Sequence, residues 1–166
     1  MKKLSILILF ILIGCGYKPS SHYKYETIGE KVFTQVDVSL SDPQNAVLTK
    51  DALHKAIYSR FKSIVTNKKD ADSILKVAYQ SIKFVPLRYD QNGYVVYYQA
   101  QVLLKFKFIR GNQVEEKKII GRYEFPIRPS AIISTSLRFD AIQKGSMKAL
   151  DEFIAYLETK GAFTSE

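Results

Sequence analysis

The chain contains a single cysteine, Cys15, and the residues around it indicate a covalent modification. It follows Leu12-Ile13-Gly14, and these four residues together resemble the lipobox, at which bacteria acylate a cysteine thiol and cleave the chain before it. Once the thiol is acylated, no cysteine remains for a disulfide, a metal site or nucleophilic catalysis. We therefore predict that Cys15 is the site of lipidation.

The segment before this cysteine has the order of a bacterial signal peptide. A basic start at residues 1–3 is followed by an apolar run at residues 4–13 and then by the small residue Gly14. The run has about ten residues, whereas a helix that crosses the hydrocarbon core needs about 20. We expect residues 1–14 to be removed as a signal peptide and residues 15–30 to form a lipidated tether.

The predicted acyl chains would hold the mature protein on a membrane surface. Each buried methylene contributes about 0.8 kcal/mol to membrane binding, so that two chains hold stably where one holds weakly. Gly16 follows the cysteine, at a position where Asp resembles the inner-membrane retention signal of enteric-type bacteria. In an organism with two membranes we therefore expect an outer-membrane anchor, with the folded part on the periplasmic side.

The other residues that could carry catalysis form no recognisable constellation. His22 lies in the predicted tether, and His54 lies on the predicted outer face of a helix. Glu115 and Glu116 are neighbours on a predicted strand, so their carboxylates point to opposite faces and cannot act as an acid and base pair. The spacings HExxH, GxSxG, GxGxxG and the P-loop are absent. We expect no enzymatic activity, no metal and no cofactor apart from the acyl chains.

The charge of the chain favours an anionic partner. The full chain has 25 basic and 16 acidic residues, a formal net charge of +9, and loses two basic residues with the signal peptide. Nucleic acid is the usual partner of a basic protein, but an exported and tethered chain rarely meets it. We therefore expect anionic lipid or glycolipid, and no nucleic acid.

Residues 31–166 are predicted to form a single α+β domain, because stretches of alternating apolar and polar residues are interspersed with two stretches of helical spacing. The predicted elements are a strand at 32–40, a helix at 50–66, a strand at 75–84 with a bulge near Gln80-Ser81, strands at 94–108 and 114–125, and a last helix from near Ser134-Thr135-Ser136 to a C′ glycine at Gly161. This β-α-β-β-β-α order favours two helices packed on one face of a mainly antiparallel four-stranded sheet.

The strand at 94–108 has the clearest pattern in the chain. Its apolar face is formed by Tyr94, Val96, Tyr98, Ala100, Val102, Leu104, Phe106 and Phe108, and its polar face by Gln99, Gln101, Lys105 and Lys107. A loop is expected before it, at residues 86–93, and a turn after it, at Arg110-Gly111-Asn112. The pattern thus predicts a long antiparallel hairpin with the strand at 114–125.

With this anchor and this element order, the chain resembles the LptE family, the lipopolysaccharide-assembly lipoproteins of the outer membrane. Cys15-Gly16-Tyr17 is similar to the family's Cys-Gly-aromatic start. Tyr97-Tyr98-Gln99 is similar to the Tyr-polar opening of its long central strand, which follows an Asn-Gly turn, here Asn92-Gly93. As an element order, the likeness covers nearly the whole mature chain.

The resemblance implies two partners and a non-enzymatic role. Members of the family are plugs seated inside the large β-barrel LptD, through which lipopolysaccharide reaches the cell surface, and lipopolysaccharide itself is the second ligand. Two alternatives stay open: an accessory lipoprotein of an envelope lipid-transport or efflux system, and a small envelope enzyme.

The resemblance also implies a binding site for lipopolysaccharide. Family members are associated with basic residues in the loop before the long strand and near the start of the last helix. Those regions here contain Arg88, and then Arg128 and Arg138, whereas Asp90 stands where the resemblance leads to a basic residue. Guanidinium groups suit bidentate contact with phosphate. The alternative for each arginine is an ordinary solvated loop charge.

Overall fold

The computed structural model of the chain describes residues 28–38, 43–61, 65–128 and 132–163. The elements in chain order are strand β1 (Val32–Val38), helix α1 (Pro43–Phe61), a short 3-10 helix (Lys68–Asp70), strands β2 (Ser73–Tyr89), β3 (Val95–Arg110) and β4 (Gln113–Pro126), and helix α2 (Thr135–Phe163). The α+β class and the β-α-β-β-β-α order predicted from the sequence are confirmed.

The four strands form one sheet in the order β1-β2-β3-β4. The pairs β2–β3 and β3–β4 are antiparallel, and β1–β2 is parallel, because α1 connects these two strands as a crossover. Strand β1 pairs only with residues 73–79 of β2, so among the described strands the remainder of β2 is paired on one side alone, with β3. The mainly antiparallel sheet is thus confirmed, with one parallel pair.

Both helices pack on the same face of the sheet, which we call the helix-covered face. Leu75 of β2 and Val102 and Phe106 of β3 are buried there, together with Leu53 of α1 and Phe153 of α2. The rings of Phe106 and Phe153 stack with centroids 4.6 Å apart. Burial of an apolar side chain of this size contributes about 1.5 to 3 kcal/mol, so this layer is the main stabilising feature of the domain.

The opposite side of the sheet carries no helix among the described residues. Lys76, Leu103, Lys107 and Ile120 point to this side, because each stands next to a residue that is buried on the helix-covered face. We call it the open face. Its side chains are half-buried or exposed. The alternation predicted for β3 therefore places its apolar residues on the helix-covered face and its polar residues on the open face.

Helix α2 approaches β4 through a pair of glycines. A Cβ atom added to Gly121 would overlap the carbonyl oxygen of Gly145, and one added to Gly145 would lie 2.6 Å from Cγ2 of Val102. A side chain at either position would therefore require the neighbouring atoms to shift. The two glycines thus set the separation between the helix and the strand, and the sequence pattern alone did not indicate this contact.

Several predicted boundaries are wrong, for identifiable reasons. Helix α1 begins at Pro43 and ends at Phe61, so Val65 is outside it and forms a parallel bridge with Val32. Residues 86–89 belong to β2 and not to a loop, since pairing with β3 continues past Pro86. Proline is tolerated there because that part of β2 is irregular and has no described strand on its other side.

Other predictions of detail have mixed outcomes. The bulge expected near Gln80-Ser81 is confirmed by a register shift between Tyr79 and Ser81. Gly161 lies within α2 and does not follow it, because the helix continues to Phe163. Ile28, inside the segment 15–30 predicted as a tether, is buried in the core, and its carbonyl accepts a hydrogen bond of 2.6 Å from the Ser73 hydroxyl. Residues 1–27, with the predicted lipidation site, lie outside the described residues.

Candidate functional site

The three arginines singled out from the sequence lie at one end of the sheet. Arg88 stands near the end of β2, Arg128 follows the last residue of β4 by two positions, and Arg138 lies in the first turns of α2. The amide of Ile127 donates to the carbonyl of Val96 at 3.0 Å, which holds the chain after β4 beside β3. We call Arg88, Arg128 and Arg138 the arginine rim.

Arg88 lies on the open face. Its guanidinium carbon is 5.2 Å from the centroid of the Tyr97 ring, which is directly opposite in the β2–β3 register. Tyr97 and Tyr98 are consecutive on β3 and so point to opposite faces, and Tyr98 stacks with Phe125 on the helix-covered face. A cation over a ring face is attracted by the ring quadrupole, so Tyr97 orients the Arg88 guanidinium.

Arg138 lies on the helix-covered face. Its helix begins with a cap, since the Leu137 amide donates to the Ser134 hydroxyl at 3.3 Å and the Arg138 amide donates to the Ser134 carbonyl at 2.9 Å. The prediction of an N-cap in this region is confirmed at Ser134. The guanidinium carbon of Arg138 is 5.4 Å from the centroid of the Phe84 ring. Arg88 and Arg138 are therefore both supported by rings, on opposite faces of the sheet.

A cluster of aromatic rings lies beneath Arg138. Phe125 is at its centre, with Phe84 edge-on at 6.1 Å and Tyr123 stacked at 6.1 Å between centroids. Lys144 extends over Tyr123 and donates to its hydroxyl at 2.9 Å. The hydrogen bond to Tyr123 and a second one to Asp140 raise the pKa of Lys144, so it is protonated at neutral pH. This cation beside the rim was not identified from the sequence.

The β2–β3 turn presents aromatic residues to solvent beside the rim. Tyr89 is 60% exposed and Tyr94 is 49% exposed. Asp90, which stands where a basic residue was expected, forms the turn, because its carboxylate accepts the amides of Asn92 and Tyr94 at 2.9 Å each. The carboxylate is therefore engaged with the backbone.

An open groove of about 620 Å³ lies between α1 and the beginning of α2. Its lining includes Lys55, Leu137, Phe139 and Asp140. The Lys55 ammonium is 5.6 Å from the centroid of the Phe139 ring, so α1 contributes a basic group to this groove. The packing of the two helices brings Lys55 to this position.

The chain is similar to a known protein family. A family model described as "LptE: Lipopolysaccharide-assembly" matches residues 33–157, from β1 into α2. The chain belongs to the LptE family. The resemblance to this family that the sequence indicated is thereby confirmed, and the N-terminal tripeptide lies outside the matched residues. No curated protein matches the chain.

Solved structures are similar to this chain at low sequence identity. A putative lipoprotein from Caulobacter crescentus CB15 superposes with a TM-score of 0.51 and 10% identity, covering 87% of this chain and 98% of that chain. Rare lipoprotein B from Shewanella oneidensis gives a TM-score of 0.46 and 14% identity, covering 81% of this chain and 99% of that chain. The superposition on the Caulobacter protein shows a similar fold and nothing beyond the fold.

Two further properties bear on this LptE-family chain. Neither helix, over the residues that the structure describes, is long and apolar enough to cross a membrane. Within the same residues, no group of three or more His, Cys, Asp and Glu side chains is placed to hold a metal ion. His54 is exposed on α1, as predicted, and Glu115 and Glu116 serve separate ion pairs, with Lys160 and with Lys105 and Lys107.

Proposed function

We propose that this LptE-family protein is a non-enzymatic, outer-membrane lipoprotein that occupies an LptD-type β-barrel and assists the delivery of lipopolysaccharide to the cell surface. The observation that carries the proposal is the family match over residues 33–157. A rigid domain of one sheet and two helices suits the lumen of a wide barrel. The domain would act by filling the barrel lumen, a role that requires stable packing and no catalytic group.

The anchor in this proposal is Cys15, with acyl chains that hold the protein to the periplasmic side of the outer membrane. Its support is the lipobox at residues 12–15. Cys15→Ser removes the thiol to which the chains attach, so we expect the variant to stay unlipidated. Metabolic labelling with a palmitate analogue checks this: wild type should carry the label, and label on the Ser variant would contradict the anchor.

The arginine rim is the proposed site for lipopolysaccharide. Stacking on Tyr97 and Phe84 restricts Arg88 and Arg138 before any ligand binds, which lowers the entropy lost on phosphate contact. Arg128 is exposed beside them. Because Arg88 and Arg138 lie on opposite faces, the rim surrounds one end of the sheet, which suits a ligand with several separated phosphates. The exposed rings of Tyr89 and Tyr94 offer apolar surface to such a ligand.

Purification of the lipoprotein from native membranes tests the proposed function. The wild-type protein should bring down a large outer-membrane barrel of the LptD type in a stable ratio. An accessory lipoprotein of a lipid-transport or efflux system, the alternative, would instead bring down a transporter subunit. Recovery of that subunit without the barrel would contradict the proposal.

A further inference from the structure

Four lysines and one glutamate lie close together in the strand register on the open face. Lys76 of β2, Lys105 and Lys107 of β3 and Lys118 of β4 form this group, which we call the lysine patch. Lys105 and Lys107 both bind the Glu116 carboxylate, at 3.0 and 2.7 Å. These two bonds, the one from Lys107 first, lower the pKa of Glu116 to about 2, so it is ionised at neutral pH. One carboxylate therefore serves two ammonium groups.

The strand register brings like charges directly opposite each other in this patch. Lys76 is opposite Lys107, and Lys105 is opposite Lys118. Like charges in such cross-strand positions destabilise a sheet. Among the described residues, no ion pair to Lys76 or Lys118 is present within 4.0 Å. Over the described residues, the lysine patch thus holds four ammonium groups against the carboxylate of Glu116, and a second carboxylate on this face, that of Asp37 of β1, is hydrogen-bonded to Gln35.

The surroundings of the lysine patch are flat and partly apolar. Leu103 and Ile120, opposite each other in the next row of the open face, are half-buried and 37% exposed respectively. Side chains on one face are spaced about 7 Å along a strand and about 4.8 Å between strands, so the patch spreads over a broad surface. A broad basic surface with apolar neighbours fits a protein wall better than one lipid headgroup.

We propose that the open face docks, through the lysine patch, onto an acidic protein surface, namely a carboxylate-rich part of the inner wall of the LptD-type barrel. This inference rests on the proposed function and names the face and the chemistry of that contact. Lysine ammoniums on flexible stems match carboxylates spread over a wall, since each acts as a point charge with no fixed bidentate geometry. Carboxylates from the wall would also relieve the repulsion between the paired lysines.

A double charge reversal, Lys76→Glu with Lys118→Glu, separates docking from folding. Each new carboxylate stands opposite a lysine, Lys107 or Lys105, so the melting temperature of the full lipoprotein should stay unchanged or rise. Affinity for the purified LptD-type barrel of the source organism should fall at least tenfold. The matched control, Lys68→Glu with Lys148→Glu, makes the same charge change at exposed positions of the 3-10 helix and of α2. It should bind the barrel as wild type does.

Three outcomes would overturn the inference, and they are distinguishable. Failure of the wild-type protein to bind the barrel removes the proposed function and this inference with it. Wild-type affinity of the Lys76 and Lys118 double variant both for the barrel and for lipopolysaccharide-containing vesicles removes the inference alone. Loss of binding to lipopolysaccharide-containing vesicles, with normal affinity for the barrel, would make the lysine patch a lipid-phosphate site. The predicted result is a tenfold or larger loss for the barrel, reduced by added salt, with vesicle binding retained.

Discussion

The arginine rim and the lysine patch are two basic regions of one sheet that are built differently. Tyr97, which lies beneath Arg88, and Lys107 are ten positions apart on β3. At the rise of a strand, this places the two regions about 33 Å apart. In the rim, Arg88 and Arg138 each lie over an aromatic ring. In the patch, lysines stand opposite lysines and share Glu116. Both regions are therefore positively charged, but aromatic rings hold the cations of the rim, whereas like charges surround the cations of the patch.

This difference suggests different tasks for the two regions. A guanidinium on a ring has few conformations left and keeps its N–H groups for a bidentate acceptor, so the rim suits discrete phosphates. An array of ammoniums with unbalanced repulsion suits an extended acidic surface, whose binding gains from relief of that repulsion. Variants that act on both regions, on one region or on neither can test whether they are independent.

The largest effect is expected at the layer that supports both regions. Phe153→Ala removes a ring stacked on Phe106 in the fully buried core and should lower the free energy of unfolding by about 3 to 5 kcal/mol. Lys107→Ala removes a half-exposed ion pair and should cost less than about 1 kcal/mol. Denaturant unfolding of both variants measures the contrast. Equal losses would mean that the two sheet faces are assigned wrongly.

An intermediate effect is expected at the contact that positions the rim and not the patch. Gly121→Ala adds a methyl group against the backbone of α2 at Gly145 and should cost about 1 to 3 kcal/mol. Since α2 carries Arg138, lipopolysaccharide binding should weaken more than barrel binding. For the unfolding measurement, the control is Arg122→Ala, an exposed neighbour on the open face. Denaturant unfolding measures the loss of stability, and the two binding assays compare lipopolysaccharide with the barrel. Identical stability of Gly121→Ala and Arg122→Ala would contradict the close glycine contact.

The smallest effect on stability is expected from a change of Glu116, which lies in the lysine patch. Its pKa of about 2 in the folded protein lies below the ordinary value of 4.5, so the carboxylate stabilises the fold above pH 4.5, and this contribution is lost as the pH falls toward 2. Glu116→Gln should therefore be less stable than wild type at pH 7, by an amount that shrinks with acidification. Melting curves from pH 7 to pH 3 measure this, and a difference that grows on acidification would have the wrong sign.

The sequence predicted the features that depend on local periodicity. The alternation along β3 placed Leu104 and Phe106 inside and Lys105 and Lys107 outside, and the structure agrees. Features that depend on register were not predictable in the same way. The opposition of Lys76 and Lys107 requires the pairing of β2 with β3, which includes the bulge before Ser81.

The candidate site was predicted as a set of residues but not as an arrangement. The separation of Arg88 and Arg138 onto two faces follows from the irregular register beyond Pro86 and from the point at which α2 begins. Neither is visible in a hydrophobic pattern. Lys144 and Lys55 were missed because only the packing of the helices brings them to their aromatic partners, Lys144 over Tyr123 and Lys55 over Phe139.

Whether the arginine rim binds lipopolysaccharide is tested by lipopolysaccharide binding across a salt series with Arg88, Arg128 and Arg138 all changed to Glu. We predict a loss of affinity of roughly tenfold or more at low salt that shrinks as salt rises, because exposed charges are screened beyond about 8 Å at physiological ionic strength. The same variant should still bring down the barrel, and Lys76→Glu with Lys118→Glu should bind lipopolysaccharide normally. Undiminished lipopolysaccharide binding by the triple variant would show that the arginine rim is not the binding site.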